Sequence, residues 1–413
     1  MLLNRLEKIL LFLTILFLPT QLGRHFWPDF SFIYSLKIDY LSPTIYFWDL
    51  LVGILLIKGW SRINLTALNL LLAFLLSQLI ALIPATSPTN IGVGLVRFEQ
   101  YLVAGLFGVY LASLNFAKIK SVIFWALTLA ILGQSFLALA QFVKGETLGF
   151  WILGERTFSI STPAIAKFDF YGTQFLRPYA TFPHPNVLAA FLVLSVALCF
   201  ALRAKKELFL FSTTAFLGIV ALVLTVSRVA IAVGVVSAFV LLPKRWFIWI
   251  LLVVILASPF LYPRFAAVLN FDNLTLLRRE ELSKLALQIW AQSPLFGVGL
   301  NNFILSSAES LVVGPGRFLQ PVHNIFLLSL AETGVLGLLG LLGLIGYSIF
   351  RLINQGSILK TKHFALMWVV IIFLGMFDHY FLTLPQGYRM LFLIWGLSLS
   401  TISSKITTNA KSS

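Results

Sequence analysis

Long apolar runs alternate with short polar or proline-rich breaks along almost the whole chain. A membrane-spanning helix needs about 20 apolar residues to cross about 30 Å of hydrocarbon, and unbroken apolar runs favour helices over the alternating pattern of a barrel strand. The pattern predicts an all-α polytopic membrane protein of about 12 transmembrane helices, with residues 1–413 as a single membrane domain. These helices are predicted to begin near Ile9, Ile45, Leu65, Val93, Val122, Val187, Leu208, Val229, Trp246, Ile325, Phe364 and Tyr388.

Two longer polar segments interrupt this series. Residues 144–185 and 262–323 predict two extracytoplasmic loops, and the second and larger one joins the ninth and tenth helices. Within the larger loop, apolar side chains from Leu276 to Ala291 recur at roughly helical spacing. This spacing predicts a short amphipathic helix lying at the outer membrane interface.

Composition excludes a soluble globular protein and sets the orientation. The chain is 59% hydrophobic and 11% charged, yet it carries a formal net charge of +15. Such a charge raises the possibility of nucleic acid, but basic residues such as Lys118 and Lys206 recur at alternate ends of the predicted helices. Because cytoplasmic loops collect Lys and Arg, we predict a multi-pass protein of the cytoplasmic (inner) membrane with both termini cytoplasmic and no nucleic-acid partner.

The sequence offers little for metal or covalent chemistry. Cys199 is the only cysteine, so an intramolecular disulfide or a cysteine metal cluster is excluded. His25, His363 and His379 are scattered along the chain, and no HExxH motif or acidic cluster is present. We therefore expect no metal and no cofactor, and we interpret the Asp378-His379 pair as structural.

Arginines near predicted helix ends are the first candidates for binding an anion. Arg177 precedes a proline-rich helix entry, where His184 is interpreted as part of a rigid loop and Asn186 as a capping residue. A planar cation at a helix entry suits an anionic ligand. Arg228 stands alone between two apolar runs, where an arginine usually faces an aqueous cavity, a lipid phosphate or a bound anion.

The larger loop combines basic residues with a glycine turn. Its cations are Arg278, Arg279, Lys284 and Arg317. Gly297 and Gly299 flank Val298 in a turn with backbone freedom that other residues lack. The turn alone is only a weak indication of a phosphate cradle.

His323 and Asn324 stand directly before a long apolar run. An imidazole in this position either takes a proton from a hydroxyl nucleophile or acts as a hydrogen-bonded capping residue. Glu332 lies inside the same run and needs a partner or a cavity. Small residues recur every third position from Gly334 to Gly346, which predicts close packing against a neighbouring helix.

These motifs together resemble one known family. TFPHPNVLAAFL, the Ser227-Arg228 helix opening, PLFGVGLNNF and HNIFLLSLAETG occur in this order, and the arrangement is similar to the O-antigen ligase and O-antigen polymerase superfamily of bacterial membrane glycosyltransferases. The resemblance implies metal-independent, inverting transfer of a glycan from an undecaprenyl (polyprenyl) diphosphate carrier to a lipid, glycan or protein hydroxyl, in lipopolysaccharide or other polysaccharide biosynthesis. It implies an extracytoplasmic active site with His323 as the essential histidine, and it implies that Arg177, Arg228 and Arg279 contact the diphosphate.

Several alternatives stay open at this stage. The motifs do not separate a ligase from a polymerase, and the choice of Arg279 over Arg278 rests on spacing to Pro294. A transporter of a small anion, using Arg228, is the main alternative of another class, and a structural membrane subunit is a third. The enzyme hypothesis requires Arg177, Arg228, Arg279 and His323 to converge in one pocket.

Overall fold

The computed structural model describes residues 3–59, 63–83, 87–266, 274–308, 310, 319–354 and 358–409. Within these ranges the chain is mostly helical, and its strands form three two-stranded antiparallel sheets. The helices are α1 (Arg5–Leu16), α2 (Phe47–Gly59), α3 (Leu65–Ile80), α4 (Pro88–Ala112), α5 (Phe116–Lys144), α6 (Pro185–Leu202), α7 (Leu208–Leu224), α8 (Arg228–Leu241), α9 (Phe247–Ala266), α10 (Leu274–Gln292), α11 (Phe303–Ser307), α12 (Ile325–Asn354), α13 (Ile358–Gly375), α14 (Tyr380–Thr383) and α15 (Pro385–Asn409). The strands are β1 (Gly23–His25), β2 (Phe32–Ile33), β3 (Leu36–Lys37), β4 (Thr44–Tyr46), β5 (Lys167–Phe170) and β6 (Thr173–Leu176), paired as β1 with β4, β2 with β3 and β5 with β6.

Every predicted apolar run coincides with a helix. Six helical segments among the described residues are long and apolar enough to cross a membrane: Asn90–Ala112, Phe116–Lys144, Pro185–Leu202, Lys205–Leu224, Lys244–Ala266 and Ile325–Asn354. Three shorter apolar helices follow the same composition, at Leu65–Ile80, Arg228–Leu241 and Thr361–Gly375. The protein is therefore a mostly helical membrane protein, while the count of about 12 spans stays a prediction.

The described residues form two compact units. The first contains Met1–Leu22, Ala117–Asn273 and Ser357–Val370, and the second contains Gly23–Phe116, Leu274–Gly356 and Ile371–Ser413. Both units are discontinuous, so no single cut in the chain separates them. The prediction of one membrane domain did not foresee this division.

In the first unit, α6 is the central helix. It packs against α7 and α8, and α8 packs in turn against α9. The loop between α5 and α6 contains the β5–β6 hairpin, whose Phe168 and Phe175 stack on Phe142 of α5. Helix α9 continues through Pro263 to Ala266, past Tyr262, where the sequence predicts the larger loop to begin. Prolines are tolerated in membrane helices, so the composition of this region misplaces the boundary.

In the second unit, α4 packs against α15 and α3, and α12 packs against α3 and α10. Helices α4 and α15 cross closely at Gly108 and Gly396, because a methyl group on Gly396 would clash with the carbonyl oxygen of Gly108. The prediction of a helix between Leu276 and Ala291 is confirmed as α10. Leu282, Ala286 and Ile289 are its buried positions.

The glycine stripe of α12 serves packing only in part. A methyl group on Gly340 would clash with Ser77 of α3, and Gln78 of α3 donates a hydrogen bond to the carbonyl of Gly337 at 3.3 Å. Close packing against a neighbour is therefore confirmed at these positions. By contrast, methyl groups on Gly343 and Gly346 would meet nothing within 4 Å. At Gly334 the helix breaks, with φ 62° and ψ −165°.

Candidate functional site

Arg177 is buried at the entrance to α6 and is held by two hydrogen bonds. Its Nε donates to the Thr225 carbonyl at 2.7 Å, and its Nη2 donates to Asn186 Oδ1 at 2.8 Å. Thr225 ends α7, directly before the turn that leads to Arg228. The guanidinium is thus fixed beside the α7–α8 turn.

The capping prediction at α6 is wrong in its assignment. His184 is the cap, because its Nδ1 accepts a hydrogen bond from the Asn186 backbone at 3.1 Å. Pro185 occupies the first helical position, where a missing N–H costs nothing. Asn186 is therefore the second residue of the helix, and its side chain accepts a hydrogen bond from Arg177.

Polar side chains of α5 hold the segment that carries Arg177. Gln141 Oε1 accepts from the backbone of Tyr179 at 2.9 Å and of Ala180 at 2.7 Å. Its Nε2 donates to Glu155 at 2.7 Å, and Glu155 also accepts from the backbone of Phe150 at 2.6 Å. These buried bonds satisfy loop amides that would otherwise be costly to bury. Gln141 therefore anchors the loop to α5.

Arg228 opens α8 and lies half-buried, with Nη1 3.4 Å from the carbonyl oxygen of Arg264. Two residues earlier, Val226 has φ 51°, a left-handed conformation that is uncommon for a β-branched side chain. Because Arg177 binds the carbonyl of Thr225, the same tight turn lies next to Arg177 and carries Arg228. Two of the three predicted diphosphate-binding arginines thus belong to one local structure.

His323 and Asn324 have separate roles at the start of α12. Asn324 Oδ1 accepts hydrogen bonds from the backbone of Phe326 at 2.8 Å and Leu327 at 3.1 Å, so Asn324 is the capping residue. His323 Nδ1 is buried and has no hydrogen-bond partner among the described residues. The interpretation of His323 as a capping residue is therefore wrong.

The pair Asp378-His379, which lies between α13 and α14, joins His323. The His323 and His379 rings lie 5.1 Å apart at 72°, and nitrogen and carboxylate atoms of His323, Asp378 and His379 all lie within 4.8 Å of one another. The sequence interpretation of His379 as a scattered histidine is wrong. The chain between His323 and Asp378 contains the two apolar runs of α12 and α13, and this pair of runs was the available sequence signal.

Arg279 of α10 lies near this cluster. Its Nη1 donates to the carbonyl of Phe377 at 3.2 Å, directly before Asp378 in the chain. Lys284, in contrast, is exposed and forms an ion pair with Glu280 at 2.7 Å. The contact at Phe377 places Arg279 at the cluster and Lys284 away from it, while the choice between Arg279 and Arg278 stays a prediction.

The electrostatic environment favours the neutral form of His323. Burial lowers the pKa of this imidazole, the Asp378 carboxylate opposes that effect, and the Arg279 guanidinium adds to it. Since the neutral imidazole carries a lone pair, His323 is suited to accept a proton.

The glycine turn packs onto the break in α12. The backbone N–H of Val298 donates to the Ala331 carbonyl at 3.0 Å, and that of Gly299 donates to the Glu332 carbonyl at 2.9 Å. A methyl group on Gly297 would clash with the Glu332 backbone. These amides are already engaged, so the turn supports α12 and does not cradle a phosphate.

Glu332 and Arg97 connect this turn to the histidine cluster. The buried Glu332 carboxylate accepts from the backbone N–H of Phe303 at 3.3 Å. Arg97 donates to Asn301 at 3.1 Å and to the Thr383 carbonyl at 2.7 Å. Sequence reasoning assigned Arg97 no role, because a single arginine within an apolar run does not indicate its partners.

The predicted site residues fall into two groups. Arg177, His184, Asn186 and Arg228 belong to the first unit, and the second unit contains Arg279, Gly297, Gly299, His323, Asn324 and Glu332. Arg317 lies outside the described residues. Each group is assembled within its unit, and the convergence of all three arginines with His323 stays a prediction.

Comparison with known families supports the resemblance. Residues 213–342 match the family model described as O-Antigen ligase, and this segment contains Arg228, Arg279 and His323 but not Arg177 or His379. Comparison with curated proteins finds no match. The resemblance to the O-antigen ligase superfamily is thereby confirmed.

Proposed function

We propose that this protein, which resembles the O-antigen ligase family over residues 213–342, is a metal-independent membrane glycosyltransferase. In this proposal it moves a glycan from a polyprenyl-diphosphate carrier to an acceptor hydroxyl on the outer face of the cytoplasmic membrane. The observation that carries the proposal is the environment of the His323 imidazole. Its imidazole is released from capping by Asn324, lacks a hydrogen-bond partner among the described residues at Nδ1, and lies beside Asp378 and Arg279.

The role of the arginines in this proposal is to stabilise the diphosphate leaving group. Breaking the bond between the anomeric carbon and the diphosphate leaves negative charge on the phosphate oxygens, and guanidinium groups stabilise such charge bidentately. Arg177 and Arg228 flank one turn, and Arg279 approaches the histidine cluster. In the proposed enzyme these arginines replace the divalent cation that many diphosphate-cleaving enzymes use.

The role of His323 in this proposal is to activate the hydroxyl nucleophile. The acceptor hydroxyl attacks the anomeric carbon as its proton passes to the neutral imidazole, and the carbon–oxygen bond to the diphosphate breaks in the same displacement. A single displacement inverts the anomeric configuration. The negative charge of Asp378 favours the imidazolium that forms.

The acceptor decides between a ligase and a polymerase. Both reactions use the same leaving group and the same base, so the residues described here serve either reaction. In cells that lack the gene, accumulation of full-length glycans on the carrier indicates a ligase. Accumulation of single repeat units indicates a polymerase.

The proposal is tested with the full chain in lipid nanodiscs, given a polyprenyl-diphosphate oligosaccharide and a hydroxyl acceptor. We expect His323→Ala to lower the transfer rate by about 100-fold or more, because general-base catalysis contributes about 10²- to 10⁴-fold. His25→Ala in the same unit is the matched control, since the His25 imidazole contacts Ser42 and Thr44 and is not part of the cluster of His323, Asp378 and His379. Transfer at the wild-type rate by a folded His323→Ala protein would refute the proposed function.

A further inference from the structure

The cluster of His323, Asp378 and His379 has a chemistry that glycosyl transfer does not require. Two imidazoles and one carboxylate place atoms that bind metals within 4.8 Å of one another. We propose that these three residues form a binding site for one transition-metal dication of the zinc class. The proposal concerns metal binding alone and does not depend on the proposed function.

The spacing is close to that of a zinc site. Zinc binds histidine nitrogen at about 2.0–2.1 Å and carboxylate oxygen at about 2.0–2.2 Å, usually in tetrahedral geometry. Ligand atoms around such an ion therefore lie roughly 3.4 Å apart. Small side-chain rotations would bring the three atoms from within 4.8 Å to that separation. A tetrahedral ion held by these three ligands would take a fourth ligand, as in zinc sites with three protein ligands.

The hydrogen bonds of Thr383 are compatible with the His379 tautomer that a metal needs. The Thr383 hydroxyl donates to the His379 carbonyl at 3.1 Å, so its oxygen accepts a hydrogen bond from His379 Nδ1, which lies 2.6 Å away. With the proton on Nδ1, the lone pair is on Nε2, 3.9 Å from Asp378 Oδ1. A partner that holds the second ring nitrogen is the usual outer support of a metal-binding histidine.

The other two groups are also positioned for a cation. Asp378 Oδ1 accepts from the His379 backbone at 2.9 Å, which holds the carboxylate beside the rings. His323 contributes an imidazole whose Nδ1 has no hydrogen-bond partner among the described residues. A neutral imidazole without a protein acceptor is available to bind a metal.

Arg279 opposes binding. Its guanidinium donates to the carbonyl of Phe377, the residue directly before Asp378, and a positive charge at this place disfavours a metal dication. The Asp378 carboxylate offsets part of this repulsion. The site is therefore expected to be weaker than a structural zinc site, and removal of the Arg279 charge should strengthen it.

Metal occupancy has one consequence that rests on the proposed function. A metal bound to His323 takes the lone pair that would accept the acceptor's proton. If the transfer reaction proceeds as proposed, zinc inhibits it, and a chelator restores it.

Binding is measured without any glycan substrate, so its failure is distinct from failure of glycosyl transfer. The full chain is purified through a tag without histidines, freed of metal and titrated with Zn²⁺ against a chromophoric chelator and with Co²⁺ by visible absorption. We expect one metal ion per chain. His379→Ala and Asp378→Asn should each weaken binding at least about tenfold, and Thr383→Val about 10- to 100-fold, since loss of an outer partner has that effect.

Two further variants make the test specific. Arg279→Gln should bind zinc more tightly than the wild-type protein, although Arg279 is proposed to support transfer. His25→Ala should bind as the wild-type protein does. The proposal is overturned if the wild-type chain binds no stoichiometric metal, or if folded His379→Ala and Asp378→Asn proteins bind zinc with unchanged affinity.

Discussion

At the scale of single residues, two neighbours at the start of α12 have different roles. Asn324 accepts two backbone hydrogen bonds and secures the first turn, and His323 next to it lies in a cluster with Asp378 and His379. Because one side chain satisfies the helix end, its neighbour is available for another role. An imidazole that capped the helix would have its lone pair occupied.

Arg279 supplies the first prediction. We expect Arg279→Ala to lower kcat/KM for glycan transfer about 100-fold, because a preorganised donor to a developing anion contributes about 10²- to 10³-fold. Arg279→Lys should recover only part of the loss, since lysine keeps the charge but not the bidentate fork. Steady-state transfer kinetics in nanodiscs measure both effects.

The matched control for Arg279 lies on the same helix. Lys284 is also basic, but it is exposed and forms an ion pair with Glu280. Exposed ion pairs contribute little because water screens them, so Lys284→Ala should leave both stability and transfer nearly unchanged. An equal loss of transfer in Lys284→Ala and Arg279→Ala would mean that overall positive charge, not the position of Arg279, matters.

At the scale of elements, the break in α12 is the feature that organises the loop. Val298 and Gly299 donate backbone hydrogen bonds to Ala331 and Glu332, and Val335 donates in the other direction to Pro294 at 2.9 Å. The loop that follows α10 is thus joined to a membrane helix by backbone contacts on both sides of Gly334.

Substitution at Gly334 tests this join. Its φ of 62° is unfavourable for a residue with a side chain, and an added methyl group would clash with the Leu295 backbone. We expect Gly334→Ala to destabilise the protein by about 2 to 5 kcal/mol from strain and overpacking together. Thermal unfolding in detergent, followed by circular dichroism, measures the loss.

Gly343→Ala is the control within the same helix. A methyl group there would meet nothing within 4 Å, and alanine favours a helix over glycine by up to about 1 kcal/mol. The melting temperature of this variant should be unchanged or slightly higher. Equal melting temperatures for Gly334→Ala and Gly343→Ala would show that α12 has no break at Gly334.

The sequence predicted features that depend on neighbouring residues and missed features that depend on contacts between distant segments. Apolar runs fix helices such as α6 and α12 because membrane insertion depends on local composition, and Asn324 next to such a run is recognisable as a helix start. The proximity of His379 to His323 depends on packing between residues far apart in the chain. The break at Gly334 was hidden because the turn that fits it, Gly297 to Gly299, comes from a distant segment.

At the scale of the whole molecule, the distribution of basic residues predicts how the chain is oriented across the membrane. Lys206 lies in a basic connection predicted to be cytoplasmic, and Lys284 lies in the loop predicted to be extracytoplasmic. Both side chains are exposed. Cys199 is fully buried and is the only native cysteine, so it gives little background to thiol labelling.

A labelling experiment checks the predicted orientation. We expect an impermeant maleimide to react with Lys284→Cys in intact spheroplasts, and with Lys206→Cys only after the membrane is permeabilised. The physical reason is the accumulation of Lys and Arg on the cytoplasmic side. The reverse labelling pattern would place the histidine cluster on the cytoplasmic side and contradict the proposed outer reaction.

The discontinuous make-up of the two units bears on synthesis of the protein. Ser357–Val370 complete the first unit and Ile371–Ser413 complete the second, so both units need the last part of the chain to emerge from the ribosome. A nascent protein that stops after α12 leaves two unfinished cores in the bilayer, and the first unit is complete only once Val370 has been added. Loss of everything after α12 therefore removes part of both units, and a fragment supplied in trans to replace it would have to complete two cores.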